Sequence, residues 1–172
     1  MQPIIQPIDT AQRLEVTERT HQFIRRAENI YGERFDLIPV RFNLTGTAAG
    51  MYRVQNDRPE FRYNPHLFAK YFAENLSETV PHEVSHYIVH TMYGTKARPH
   101  GPEWKQVMRD FGAKPVRTCN FDLSGIPVRR HRRFEYQCGC RMHSVTTRVH
   151  NMISTGTRQY FCKSCARELV IA

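Results

Sequence analysis

The segment His82-Glu83-Val84-Ser85-His86 restricts this chain more than any other stretch of it. It falls in a run with Val84, Ile88 and Met92 at i, i+4 and i+8. Ser77 or Thr79 stands before that run as a cap and Gly94 after it as a stop, so the spacing predicts a helix of about four turns. Pro81 sits in the first turn, where it removes one backbone bond if Ser77 is the cap and none if Thr79 is. Residues four apart on a helix share a face, so both imidazoles can reach one metal ion while Glu83 projects beside them. Neutral imidazoles around a zinc ion with an open coordination position, next to a carboxylate, make a hydrolytic site. Glu83 is the base there, taking a proton from the attacking water and returning it to the leaving amine. The competing reading, two histidines on a solvated helix face, has less support from the helical context.

A third ligand is required. His90 lies about 12 Å of helix rise from His82, too far for three side chains of one straight helix to converge, and is read as packed or surface histidine. Val89 and Met92 stand where a metzincin has glycine and histidine, which disfavours that class. His100 follows a short turn and can fold back beside His82 and His86. Glu103, on the helix opened by Gly101-Pro102, competes with it and is assigned to support His100 from behind. Trp104, Val107, Met108 and Phe111 give that helix its apolar face and Gly112 ends it; Trp104 is read as core.

Elsewhere, Asp9 or Thr10 caps a helix ending at Gly32, with Leu14, Phe23, Ile24, Ala27, Ile30 and Tyr31 as its apolar positions. Val40–Leu44, Ala49–Val54 and Phe61–Tyr63 read as a small antiparallel sheet. Asn64-Pro65 opens a helix to about Asn75. Beyond Arg117 the chain is rich in Arg, Gly and Pro, so a linker and a boundary are expected, with domains 1–128 and 129–172. Past the boundary, 134–140, 144–149 and 158–161 read as three short strands.

Those strands flank Cys138-Gly-Cys140 and Cys162-Lys-Ser-Cys165, two pairs spaced to close around one structural zinc in a segment with little core of its own. The first knuckle is C-x-C rather than C-x-x-C, so His143 is an alternative ligand to one of its thiolates; four cysteines are preferred. Cys119 is read as a buried apolar residue.

Residues 115–172 hold ten Lys/Arg against three Asp/Glu, whereas residues 1–114 hold fifteen against thirteen. The cationic stripe Arg129, Arg130, Arg132, Arg133, Arg141, Arg148, Arg158 and Lys163 is expected to contact nucleic-acid phosphates, with Tyr136, Tyr160 and Phe161 as stacking surfaces. The bland alternative is a solvated charge run above a small aromatic core. Met1–Pro7 lacks the basic and apolar regions of a secretory signal, and no run approaches the roughly 18 apolar residues of a membrane span. A cytoplasmic protein with thiols rather than disulfides, without a membrane partner and in reach of the nucleoid, is expected.

His82-Glu83-x-x-His86, followed by His100-Gly101-Pro102-Glu103-Trp104 and the later cysteines, resembles the SprT/Spartan group of zinc metallopeptidases, most of all its compact bacterial form. The resemblance covers nearly the whole chain. It implies His82, His86 and His100 as ligands of a catalytic zinc, Glu83 as base, and proteins on DNA, including covalent crosslinks, as substrates. The resulting expectation is an α+β protein. A zincin-like metalloendopeptidase domain with a small antiparallel sheet precedes a zinc-ribbon-like β subdomain, with one catalytic and one structural zinc and single-stranded DNA as partner. The rival is a nucleic-acid-binding, transcription-associated regulator with vestigial peptidase activity; an intact Glu83 speaks against it. A small-substrate amidase would leave the basic segment without a purpose.

Overall fold

Asp9 starts the first helix with a reciprocal cap: its Oδ1 accepts from Gln12 N–H at 2.8 Å, and Gln12 Oε1 accepts from Asp9 N–H at 3.2 Å. Helix α1 then runs Thr10–Tyr31 and stops at Gly32, whose φ of 69° is the left-handed conformation that ends helices. Its buried face is Val16, Thr20, Phe23, Ile24 and Ala27, while Leu14 and Ile30 point to solvent. The computed structural model describes residues 3–117, 120–128 and 132–172, and the chain divides into two units, Met1–Val128 and Arg129–Ala172.

In the first unit, β1 (Val40–Arg41), β2 (Gly50–Gln55) and β3 (Arg58–Tyr63) form a sheet in the order β1-β3-β2. The β2–β3 hairpin is antiparallel, turned by Asn56 and Asp57, both at positive φ as a two-residue hairpin turn of this kind demands. β1 is parallel to β3, so the sheet is mixed and the expected all-antiparallel arrangement is corrected. No tight turn joins β1 to its neighbour; the chain leaves β1 at one edge and re-enters as β2 at the other. Phe61 and Tyr63 point from β3 into the core.

Asn64 caps α2 (Pro65–Lys70), its Oδ1 accepting from the amides of His66 and Leu67, while its Nδ2 donates to Gly46 O and holds the loop before β2. After the short α3 (Phe72–Glu74), a π turn over Asn75–Thr79 leads directly into α4 (Val80–Tyr93). The expected break at Ser77 or Thr79 is therefore absent: Thr79 has helical dihedrals and caps nothing. Asn75 explains the continuity, since its amide donates to Leu67 O and Tyr71 O while its carbonyl oxygen accepts from Thr79 Oγ1. Pro81, lacking an N–H, falls where the widened turn has already shifted the hydrogen-bond register. Helix α5 (Pro102–Asp110) closes this unit's core against α1 and α4, with Trp104, Val107 and Met108 buried.

The second unit holds β4 (Arg133–Gln137), β5 (Met142–Thr146), α6 (Thr147–Ser154) and β6 (Val170–Ile171), with sheet order β5-β4-β6. Two expectations are corrected. The run read as a strand over 144–149 turns helical at Thr147, because Thr146 Oγ1 caps Val149 N–H. The third strand is Val170–Ile171 rather than 158–161, of which Phe161 makes a single bridge, to Glu168. The protein is thus mixed α+β with two small sheets and a cysteine cluster in the second unit. No helix among the described residues is long and apolar enough to cross a membrane.

Candidate active site

Helix α4 sets His82 and His86 one turn apart on the side away from its buried Val84 and Ile88, and the loop before α5 brings in His100. His100 has φ 57°, unusual for a residue with a Cβ and tolerated where surrounding structure holds it. Gly101 beside it has no room for a side chain, since a Cβ would stand 2.8 Å from Arg98 O. The three Nε2 atoms form a triangle with edges of 3.2, 3.1 and 3.1 Å. A tetrahedral zinc about 2.0–2.1 Å from each nitrogen sets edges of about 3.3–3.4 Å, so the donor set fits. Three inward-facing imidazole lone pairs repel one another unless a cation lies among them.

Protonation is held off to match. Burial, then the neighbouring His100, pushes the pKa of His82 down to about 4, although the Val116 carbonyl accepting from its ring pulls the other way. Burial, then His82 and His100, takes His86 to about 3. Burial and the charge of Arg117 lower His100. Trp104 underlies the whole triangle, its ring 4.7, 5.6 and 4.8 Å from those of His82, His86 and His100, and its Nε1 donates to His82 O. At 1% exposure it is core, as expected, and it also fixes the three imidazole orientations.

Glu83 is 7% exposed and aims its carboxylate at β2, where Oε2 accepts from Tyr52 N–H at 2.7 Å. Burial raises its pKa to about 7, with that amide pulling the other way. Gly50 is what lets β2 come so close: a Cβ there would lie 2.7 Å from Glu83 Cγ and 2.7 Å from Thr79 Cγ2. The sequence assigns neither Gly50 nor Tyr52 a role in the site; a glycine inside a strand pattern is the signal that marks such a close approach. His90 lies outside the triangle and pairs through Nδ1 with Tyr52 Oη at 2.9 Å. Glu103 makes no hydrogen bond to the three imidazoles among the described residues, so its expected supporting role is corrected; the group behind the triangle is Trp104. These elements border a cleft of about 730 Å³ whose walls include Gly50, Met51, Tyr52, Glu83, His100, Arg117 and Phe121.

In the second unit, Cys138, Cys140, Cys162 and Cys165 gather with their sulfurs within 4.8 Å of one another, unbonded as thiols. Sγ separations of 3.2 Å for Cys138–Cys140 and 3.7 Å for Cys140–Cys162 approach the about 3.8 Å edge of a tetrahedral zinc–thiolate site. Backbone amides of Cys165 and Ser164 lower the Cys162 pKa to about 5, which favours the ligating thiolate. His143 lies 3.1 Å through Nε2 from Cys138 Sγ, as a partner of one thiol outside the group of four.

Of the basic residues, Arg132, Arg133, Arg141, Arg148, Arg158 and Lys163 are exposed; Arg129 and Arg130, like Cys119, lie outside the described residues. Tyr136 is 2% exposed, bonds to His150 and packs in the core beside the cysteines, so it is corrected from stacking surface to core. Phe161 is 55% exposed. An unforeseen stack has Arg132 over Phe134 at 4.7 Å, and Phe134 against His150 at 3.6 Å with planes 2° apart.

An α+β unit with an H-E-x-x-H helix, a third histidine from the following loop and a cleft beside them defines a metallopeptidase-like protein. The SprT-like family model matches residues 20–131, and the chain belongs to that family. It is similar to the Protein SprT of Pasteurella multocida, with 34% identity over 91% of this chain and 92% of that one. It is also similar to those of Glaesserella parasuis, with 30% identity over 92% and 98%, and of Vibrio parahaemolyticus, with 34% over 85% and 86%.

Proposed function

We propose that this chain is a zinc-dependent metalloendopeptidase that cleaves proteins bound or crosslinked to DNA, with the second unit as its DNA contact. The observation that carries the peptidase reading is Glu83. A carboxylate that served only to fold the helix would not be buried at 7% exposure, tied down by one amide and set beside three converging imidazoles. When bound, zinc acts as a Lewis acid and lowers the pKa of water to about 7. His82, His86 and His100 would hold the ion, each kept neutral by burial. Glu83, anchored by Tyr52 N–H, takes the proton from the attacking water and carries it to the leaving amine. β2 is an edge strand along the cleft, and such an edge takes an extended peptide by backbone pairing.

Exposed cations on the second unit and the Arg132–Phe134–His150 stack support phosphate and base contacts with single-stranded DNA. Four clustered free cysteines, with His143 hydrogen-bonded to one of them, support a metal-built second unit rather than a disulfide-built one. The setting we propose is the cytoplasm, at the nucleoid, with no membrane partner. The test incubates zinc-loaded protein with a DNA-binding substrate protein, with and without single-stranded DNA, beside Glu83→Gln at equal zinc content. DNA-stimulated cleavage lost in the variant is expected. Cleavage indifferent to DNA would remove the recruitment model, and tight DNA binding with no cleavage in any arm would favour the regulator.

A further inference from the structure

Carbonyl hydrolysis needs a group to handle the proton and fixed positive charge where the oxygen becomes negative. Glu83 meets the first need and is held on the β2 side of the cleft by Tyr52 N–H. Among the described residues that border the cleft, Arg117 is the one permanent cation and Glu83 the one carboxylate. Arg117 borders the same cleft as His82, His86 and His100. Further along the chain, Lys70 donates to Asp122 O and Ser124 O at 2.9 Å each, and Phe121, which also borders the cleft, stacks on Tyr71 at 4.7 Å. Tyr52, another polar side chain on the cleft wall, already shares its hydroxyl with His90.

We infer that Arg117 is a catalytic residue whose guanidinium binds the substrate carbonyl oxygen as it turns anionic. This rests on the peptidase reading above. A guanidinium suits the role because it keeps its charge at every working pH and offers five N–H donors in a planar fork. It adds no covalent step; the oxygen gains its charge as water adds to the carbonyl carbon and loses it as the amine departs.

The test compares wild type, Arg117→Gln and Arg117→Lys at equal zinc content, with saturating single-stranded DNA in every arm. Steady-state cleavage of a quenched fluorescent peptide is measured together with calorimetric binding of a phosphinic peptide, a tetrahedral anion. The amide peptide of the same sequence is titrated into the same Arg117 series on a Glu83→Gln background. Arg117→Gln is expected to lower kcat by roughly 10²–10³ with KM little changed. It should also weaken the phosphinic peptide about 10²-fold or more while leaving amide binding in place, with Arg117→Lys recovering part of both losses. Unchanged kcat, or equal weakening of both peptides, would overturn the assignment. If wild type cleaves nothing, the peptidase reading falls, and the phosphinic peptide still decides for Arg117: binding that depends on it retains an anion subsite, and binding that does not removes it.

Discussion

The two ligand clusters stand in opposite relations to the units that carry them. The histidine triangle sits on a unit whose main core gathers nineteen buried residues from Ile8 to Phe111, so α4 and α5 are in place whether or not an ion is bound. The cysteine cluster belongs to a unit whose buried core is Tyr136, Cys138, Cys162 and Leu169, so half of that core consists of candidate ligands. The first fold is built without its candidate ligands; in the second, metal binding and folding would be one equilibrium.

Chelation is the strongest way to break that contrast. Zinc linkage on the order of 10 kcal/mol is at stake in the second unit, so removing metal, or Cys162→Ser, should abolish amide-exchange protection over 133–171 while α1 and α4 keep theirs. Protection surviving in the second unit would show that it has a core of its own. Next in size is Glu83→Gln, expected to lower cleavage by roughly 10²–10⁴ with zinc retained; residual cleavage within tenfold of wild type would exclude Glu83 as the base.

Gly50→Ala should cost about 1–3 kcal/mol in the first unit alone, since Glu83 and Thr79 leave a methyl group no space. A thermal melt of the metal-free protein reads it, and an unchanged melting point would mean that β2 can draw back. The pH effect is smaller. Glu83 has its pKa raised to about 7 in the folded chain, so folding favours its protonated form. Its contribution to metal-free stability is fully present below the ordinary Glu value and is lost as pH rises toward and through 7, a trend Glu83→Gln should flatten. Cleavage runs the other way, falling as pH drops through the Glu83 pKa, which a bound cation sets below 7. The smallest expected effect is that of Glu103→Gln, within about 0.5 kcal/mol in stability and without loss of zinc.

Where sequence and structure agree, the cause is local. The Asp9 cap, the Gly32 and Gly112 stops, the Pro102 helix start and the i, i+4 histidines are decided within a turn or two of chain. His100 and the cysteine pairs were legible because chemistry at a given spacing leaves few alternatives. Local reading failed where a single side-chain bond within a turn overrode the pattern around it. The β-branched run at 144–149 looked like strand until Thr146 capped a helix inside it. Ser77 and Thr79 looked like caps until Asn75 carried the helix through them. The candidate ligands and the candidate base were thus named from the sequence, and the structure brings the three histidines together. What holds them was decided by tertiary structure: Tyr52 N–H reaches Glu83 from 31 residues away, and Trp104 lies beneath all three imidazoles while its Nε1 donates to His82 O. Those contacts form between segments that share no local pattern, and only packing of the sheet and the loop against α4 brings them within hydrogen-bonding distance.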